Sequence, residues 1–326
     1  MEQRAAKADR GKAVRFAFIV DPLDKLKAYK DSSVAMMREA ARRGHEVWTI
    51  QRENLVWEAG TVSALAVRIE PLDDDVIWYA AGENRVSSLR DFDGVMMRQD
   101  PPFDMEYVTA TWLLERAAAQ GARIFNDPRA IRDHSEKVSI AEFPQYTAAT
   151  QIARDAGALN TFIEAHGDVV LKPLDGMGGS SVFRVRRDDP NRNVIIEVLT
   201  LNGAKTIMAQ RFLPEITDGD KRILIIDGKP VPYSLARIPM AGETRGNLAA
   251  GGRPEARPLS ARDREIAEGL GPVLAARGLL LVGIDVIGDS LTEINVTSPT
   301  CFVEIAEQSG FNVAGMFMDA LEARCR

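Results

Sequence analysis

Only two cysteines, Cys301 and Cys325, occur in 326 residues, which is too few for a disulfide framework and gives no metal-ligand spacing. Free cysteine is among the most buried residue types, so both read as packing positions. The three histidines, His45, His134 and His166, stand near expected helix ends without a serine or cysteine nucleophile beside them, which argues against a covalent enzyme intermediate. No apolar run approaches the roughly 20 residues needed to span a bilayer. Residues 1–11 open with MEQRAAKADR, charged and without an apolar stretch, and read as a disordered tail of a cytoplasmic protein rather than a signal peptide. Basic and acidic residues nearly balance, 41 against 47, and positive charge is nowhere gathered into runs, so neither a nucleic acid nor a membrane surface is an expected partner. Two phosphate-binding signatures are also missing, GxGxxG and GxxxxGK[ST].

What is present begins with β-α alternation. The run Val14 to Val20 is of buried-strand type, Asp31 caps a helix reaching about Arg43, and Glu46 to Gln51 follows as a strand. Strand Gly94 to Arg98, helix Met105 to Gln120 and strand Arg123 to Asn126 continue the pattern to a short helix capped by Asp127. The fold class is therefore α/β, with a Rossmann-like domain over residues 12–131. From there the order becomes mixed, and residues 132–326 form a second domain, divided into 132–208 and 209–326. Ser135 is placed to cap a helix carrying Lys137, and Ser260-Ala-Arg-Asp263 reads as a capping box. Pro239 to Pro258 is rich in Gly, Ala and Arg without periodicity and reads as a long loop, mobile over 240–254.

The segment Leu281 to Val296 reads as a β-hairpin around Gly288-Asp289-Ser290. A three-residue loop would pair residue 287 with 291 and set Asp285 opposite Glu293, with Asn295 on the same face. Two carboxylates about 5 Å apart repel by roughly 3 kcal/mol at an effective dielectric near 20. A cation between them removes that penalty, and oxygen ligands without His or Cys suit Mg²⁺; water on a solvated hairpin is the alternative. Upstream, Asp175-Gly-Met-Gly-Gly-Ser-Ser181 lets backbone N–H groups approach an anion between two strands, and Lys172 ends the strand that enters it. Arg222, Arg237, Arg245 and Arg253 suit carboxylates or a transferring phosphoryl group. Flap, lysine, metal hairpin and guanidiniums together form the parts of an Mg-ATP enzyme.

These residues carry a resemblance. The chain resembles the bacterial glutathione synthetases, which are ATP-grasp ligases, from about Arg15 to its C-terminus. The matching segments include Met96 to Asp104, Arg132 to Lys137, Leu171 to Ser181, Asp218 to Arg222, Gly242 to Arg253 and Leu291 to Thr300. The resemblance implies ATP-dependent joining of γ-glutamylcysteine and glycine through an acyl phosphate. It implies ATP contacts from Lys137, Lys172, Gly176, Gly178, Gly179 and Ser180, and from the strand exit at Gln210, Phe212 and Leu213. Asp285, Glu293 and Asn295 would bind Mg²⁺, or Mn²⁺ in its place. Arg222, Arg237, Arg245, Asn247 and Arg253 would serve catalysis, and Asp21, Ser33, Arg98, Ser298 and Thr300 the peptide substrate. A homo-oligomer is the expected state by the same analogy. Two departures stand out: Gln99 occupies a position where the family often has lysine, and Pro144 to Thr150 replaces a threonine-proline turn. Another ATP-grasp ligation, such as joining two D-alanines, and a non-catalytic nucleotide-binding module are the competing readings.

Overall fold

The computed structural model describes residues 14–326 except Met177, Thr244, Ala249 and Ala250. The tail expected over 1–11 lies outside the described residues.

The first strand, β1 (Arg15–Ile19), is buried from Phe16 onward, as a central parallel strand covered on both faces must be. Helix α1 (Ser32–Arg42) starts where the Asp31 carboxylate accepts the backbone N–H groups of Ser33 and Val34, and it returns the chain to β2 (Glu46–Glu58), parallel to β1. Strand β2 runs past the expected end at Gln51 because β3 (Thr61–Pro71) folds back against it, followed by β4 (Tyr79–Ser88). Strand β4 escapes the sequence reading because it is an exposed edge without apolar alternation. After β5 (Gly94–Met97), α2 (Met105–Ala119) and β6 (Ile124–Phe125), the sheet order is β4-β3-β2-β1-β5-β6. Strands β2 and β5 lie on opposite sides of β1, so the order reverses there. The crevice beyond the carboxyl ends of β1 and β5 is where such sheets bind ligands. Asp21 follows β1 and Arg98 follows β5.

Helix α3 (Pro128–Asp133) is capped by Asp127. The helix expected to carry Lys137 is only a 3-10 turn over Val138–Glu142, with Lys137 just before it. A four-stranded antiparallel sheet follows, built from β7 (Thr150–Ala153), α4 (Ala156–His166), β8 (Asp168–Pro173), β9 (Phe183–Arg186), α5 (Arg192–Thr200) and β10 (Ile207–Arg211) in the order β7-β10-β8-β9. The division expected between residues 208 and 209 falls inside β10, which pairs with both β7 and β8.

The last sheet has the order β13-β12-β11-β14-β15. It comprises β11 (Asp220–Ile226), β12 (Lys229–Ile238), β13 (Arg253–Pro258), β14 (Leu281–Ile287) and β15 (Ser290–Asn295), with α6 (Ala261–Ala276) before β14. The long loop is thus shorter than its composition suggests: Arg253 to Pro258 pair with β12, Arg253 opposite Ile238. Helices α7 (Phe302–Ser309) and α8 (Val313–Cys325) close the chain. Phe302 and Phe317 share one hydrophobic core with Phe16 and Met37 of the first sheet layer and with Leu224 and Leu235 of the last. The final helices therefore join the first and last sheets into a continuous body. Asn126 adds a polar clamp: its amide donates to the carbonyls of Leu281 and Val296, both at 2.8 Å, and accepts the Leu281 N–H at 2.9 Å. The base of the β14–β15 hairpin is held to the end of the first domain by one buried side chain.

Candidate active site

The hairpin does set Asp285 opposite Glu293, by a different route from the one expected. Ile287 pairs with Ser290 across a two-residue Gly288-Asp289 turn, and Gly288 adopts φ +56°, the left-handed region that favours glycine. Pairing then slips between Val286↔Leu291 and Asp285↔Glu293, leaving Thr292 as the extra residue of a bulge whose hydroxyl donates to the Asp285 carbonyl at 3.1 Å. Gly283 lies opposite Asn295.

These acids meet a dense set of cations. Arg222, directly across β11 from Asp285, donates to both of its oxygens at 2.5 and 3.0 Å, and Arg237 of β12 reaches it at 3.0 Å while also pairing with Asp220. Burial pushes the Asp285 carboxyl up, but the two guanidiniums outweigh it and hold the group far below the usual carboxylate range. Lys137 and Lys172 converge on Glu293 at 3.3 and 3.7 Å. Burial drives the Lys172 ammonium down, opposed by the charge of Glu293. Asn295 donates to the Gly283 carbonyl at 3.1 Å and to Asp285 at 3.3 Å.

Two chambers lie on either side of this acid pair. The first, about 120 Å³, is lined by Lys137, Lys172, Gly176, Gly178, Gly179, Ser180, Gln210, Phe212, Leu213, Arg245 and Asn247. It therefore collects every residue expected to hold nucleotide. Lys137 also donates to the Gly176 carbonyl at 2.7 Å, tying the flap to the segment that follows α3. A Cβ at Gly179 would stand 2.6 Å from the Asn247 amide oxygen, so only glycine lets the flap approach the 245–247 segment this closely. The second chamber, about 210 Å³, is lined by Asp100, Glu136, Arg222, Arg237, Asn295, Ser298 and Thr300. Gly176, Gly178, Asn247, Asp285 and Glu293 line both. A larger recess of about 980 Å³ between α1, β3, β4 and the final helices holds none of these residues.

Several expected residues stand elsewhere. Arg253 opens β13, is 65% exposed in its side chain and pairs with Glu255; it lines neither chamber. Ser33 and Arg98 lie behind the wall of the second chamber, where Arg98 donates to the Ser33 hydroxyl at 3.1 Å and to the Pro299 carbonyl at 2.9 Å. Asp21 accepts from Gln99 and from the Asp100 N–H, and Asp100 accepts from Ser298 at 2.5 Å, so Asp21 supports the chamber from outside. Gln99 is buried beside Asp21, away from the chamber lining, so its difference from lysine acts on the support and not on the wall.

Three lining carboxylates were missed. Asp100 and Glu136 lie within the segments DPPFD and RDHSEK, where their neighbours drew the reading. Asp220 lies in DGDKR beside Arg222. Its Oδ1 is buried without a hydrogen-bond partner. Burial lifts its carboxyl to about 6, with Arg237 opposing and the charges of Asp285 and Glu293 adding to the rise.

The comparisons agree with this geometry. The family model for the prokaryotic glutathione synthetase N-terminal domain matches residues 14–132, and that for the ATP-grasp domain of the same family matches residues 136–310. A glutathione synthetase of Ralstonia nicotianae is 60% identical over 309 residues, covering 95% of both chains. One of Nitrosomonas europaea is 57% identical over 312 residues, covering 95% of this chain and 98% of the relative. Among solved structures, D-cycloserine synthetase superposes with a TM-score of 0.66 at 17% identity, covering 96% of this chain and 100% of the other, a likeness of fold. Both halves of the chain match one family, and near full-length identity accompanies them: the chain belongs to the prokaryotic glutathione synthetases.

Proposed function

We propose that this enzyme joins γ-glutamylcysteine to glycine at the expense of ATP, through an acyl phosphate of the cysteinyl carboxylate. The observation that carries the reading is the shared wall: a flap-and-lysine chamber and a second polar chamber meet at Asp285 and Glu293. A phosphoryl donor on one side and a carboxylate on the other would face each other there. Lys137 and Lys172 bind the phosphates of ATP. Arg222 and Arg237 offset charge on the transferring group, a role in which preorganised donors are worth most in a dry site. Gly176, Gly178 and Asn247 exclude water, which would otherwise hydrolyse the acyl phosphate.

The donor set fits Mg²⁺. Asp285, Glu293 and Asn295 offer hard oxygens on facing strands, and the orphaned Asp220 Oδ1 marks negative charge that the four basic side chains leave short of donors. Arriving polyphosphate would draw Lys137 and Lys172 from Glu293, making that shortage larger. When bound, the metal would supply neutralisation of charge on the transferring phosphoryl group. Mn²⁺ has the same ligand preference.

The test supplies ATP and Mg²⁺ with γ-glutamylcysteine, glycine, both, or D-alanine, and follows phosphate release and peptide product. Sustained phosphate release with tripeptide only from the first pair is expected. Turnover on D-alanine alone, or ATP binding without turnover on any amine, overturns the reading.

A further inference from the structure

Of the carboxylates lining the second chamber, Asp285 and Glu293 are neutralised by arginine and lysine. Glu136 is not. Its Oε1 accepts from Val296 N–H at 3.3 Å and from the Thr297 hydroxyl at 2.9 Å, while its own carbonyl accepts from Ile294 N–H at 2.9 Å. These bonds fix the carboxylate against the end of β15. Its Oε2 makes no hydrogen bond among the described residues, and Glu136 forms no ion pair there. The side chain is partly exposed, and it is part of the chamber lining. A held carboxylate with one oxygen unused, facing a chamber whose cations are already engaged by other acids, calls for a cationic hydrogen-bond donor from the ligand.

The substrates of the ligation carry such groups. Both γ-glutamylcysteine and glycine present a primary ammonium, which donates three hydrogen bonds and suits a point acceptor. We propose that Glu136, through Oε2, receives the ammonium group of a substrate in the second chamber. This rests on the ligation reading above. If the ammonium is that of the attacking amino acid, Glu136 holds it on the side of Asp285 and Glu293 away from the nucleotide chamber and takes the proton it must lose before the free amine displaces phosphate. If it is the α-ammonium of the dipeptide, Glu136 sets the far end of the peptide, and through it the position of the carboxylate to be activated.

The experiment compares wild type with Glu136→Gln and Glu136→Asp, measuring KM for ATP, dipeptide and glycine. Two further reagents separate the sources: hydroxylamine, a neutral nucleophile that traps the acyl phosphate as hydroxamate, and glutarylcysteine, a dipeptide analogue without the α-ammonium. A single charge-assisted hydrogen bond predicts a KM rise of about tenfold or more in Glu136→Gln for one substrate. With the acceptor held, the rise falls on glycine while hydroxamate formation stays within about twofold of wild type. With the dipeptide held, the rise falls on γ-glutamylcysteine, and the variant uses glutarylcysteine as well as wild type does. Partial rescue by Glu136→Asp supports either arm. Unchanged KM values for both substrates overturn the proposal, as does a parallel loss of glycine and hydroxylamine turnover without a KM rise, which marks Glu136 as a structural brace for Val296 and Thr297. An enzyme that makes no tripeptide in wild type rejects the ligation reading itself, a result distinct from either outcome.

Discussion

Replacing Asn126 with alanine removes the clamp between the first domain and the metal hairpin. The residue is 6% exposed, and its amide makes three hydrogen bonds of 2.8, 2.8 and 2.9 Å to backbone groups of Leu281 and Val296. At about 1 kcal/mol net for each bond the loss is roughly 3 kcal/mol, and leaving buried backbone groups unpaired carries it toward about 6 kcal/mol. For a chain of this size about 2 °C accompanies each kcal/mol, so the melting temperature should fall by on the order of 6–12 °C. Thermal unfolding followed by circular dichroism without ligands measures it. Thr161→Ala, which removes one exposed bond to the Gly157 carbonyl on α4, serves as the control. Turnover should fall as well, because Leu281 opens the strand carrying Asp285 and Val296 follows the one carrying Glu293. A melting temperature no lower than that of the control would refute the clamp and place the domain junction in the shared hydrophobic core alone.

Glu293→Gln or Asn295→Ala should lower turnover by about a hundredfold or more, on the scale of several kcal/mol supplied by a phosphate-bridging cation; near-normal turnover at saturating Mg²⁺ in both would reject the metal assignment. Lys172→Ala should abolish much of the stabilisation conferred by ATP, read as the ligand-dependent melting shift, and an unchanged shift would count against its phosphate role. Asp220→Asn should stabilise the ligand-free protein. A carboxyl lifted to about 6 is harder to ionise folded than unfolded, so wild type loses stability as pH rises from about 4 to 6 and the amide does not. Urea midpoints should therefore diverge through that range and stay apart above it; a variant less stable at neutral pH would show that the Arg237 pair outweighs burial.

Much of the first domain was legible because its signals are local. Asp31, Asp104 and Asp127 each accept backbone N–H groups at the starts of helices, and the run Phe16 to Ile19 is buried throughout. Among the elements that escaped, β4, β13 and α7 have weak local signals and exist because a neighbour pairs with or packs against them. Arg253 illustrates the consequence for the site: a glycine-rich surrounding read as a mobile loop and the resemblance implied a catalytic role, but pairing of β13 with β12 turns the residue into an exposed strand end.

The candidate site divides along the same line. Residue type and spacing by themselves pointed to Asp285 and Glu293 on facing strands, to a glycine flap after Lys172 and to the parts of an Mg-ATP enzyme, since alternation along a strand acts over a few residues; the two-residue turn and the bulge that bring the acids opposite each other were not legible there. Which guanidinium neutralises which carboxylate, that Asp220 is left with a buried unpaired oxygen, and that Arg98 and Ser33 stand behind the chamber wall were decided only in three dimensions. The physical reason is range: hydrogen-bonded periodicity is written in adjacent residues, whereas burial and charge pairing depend on groups such as Arg222 and Asp285, 63 positions apart, that meet only when β11 and β14 pair.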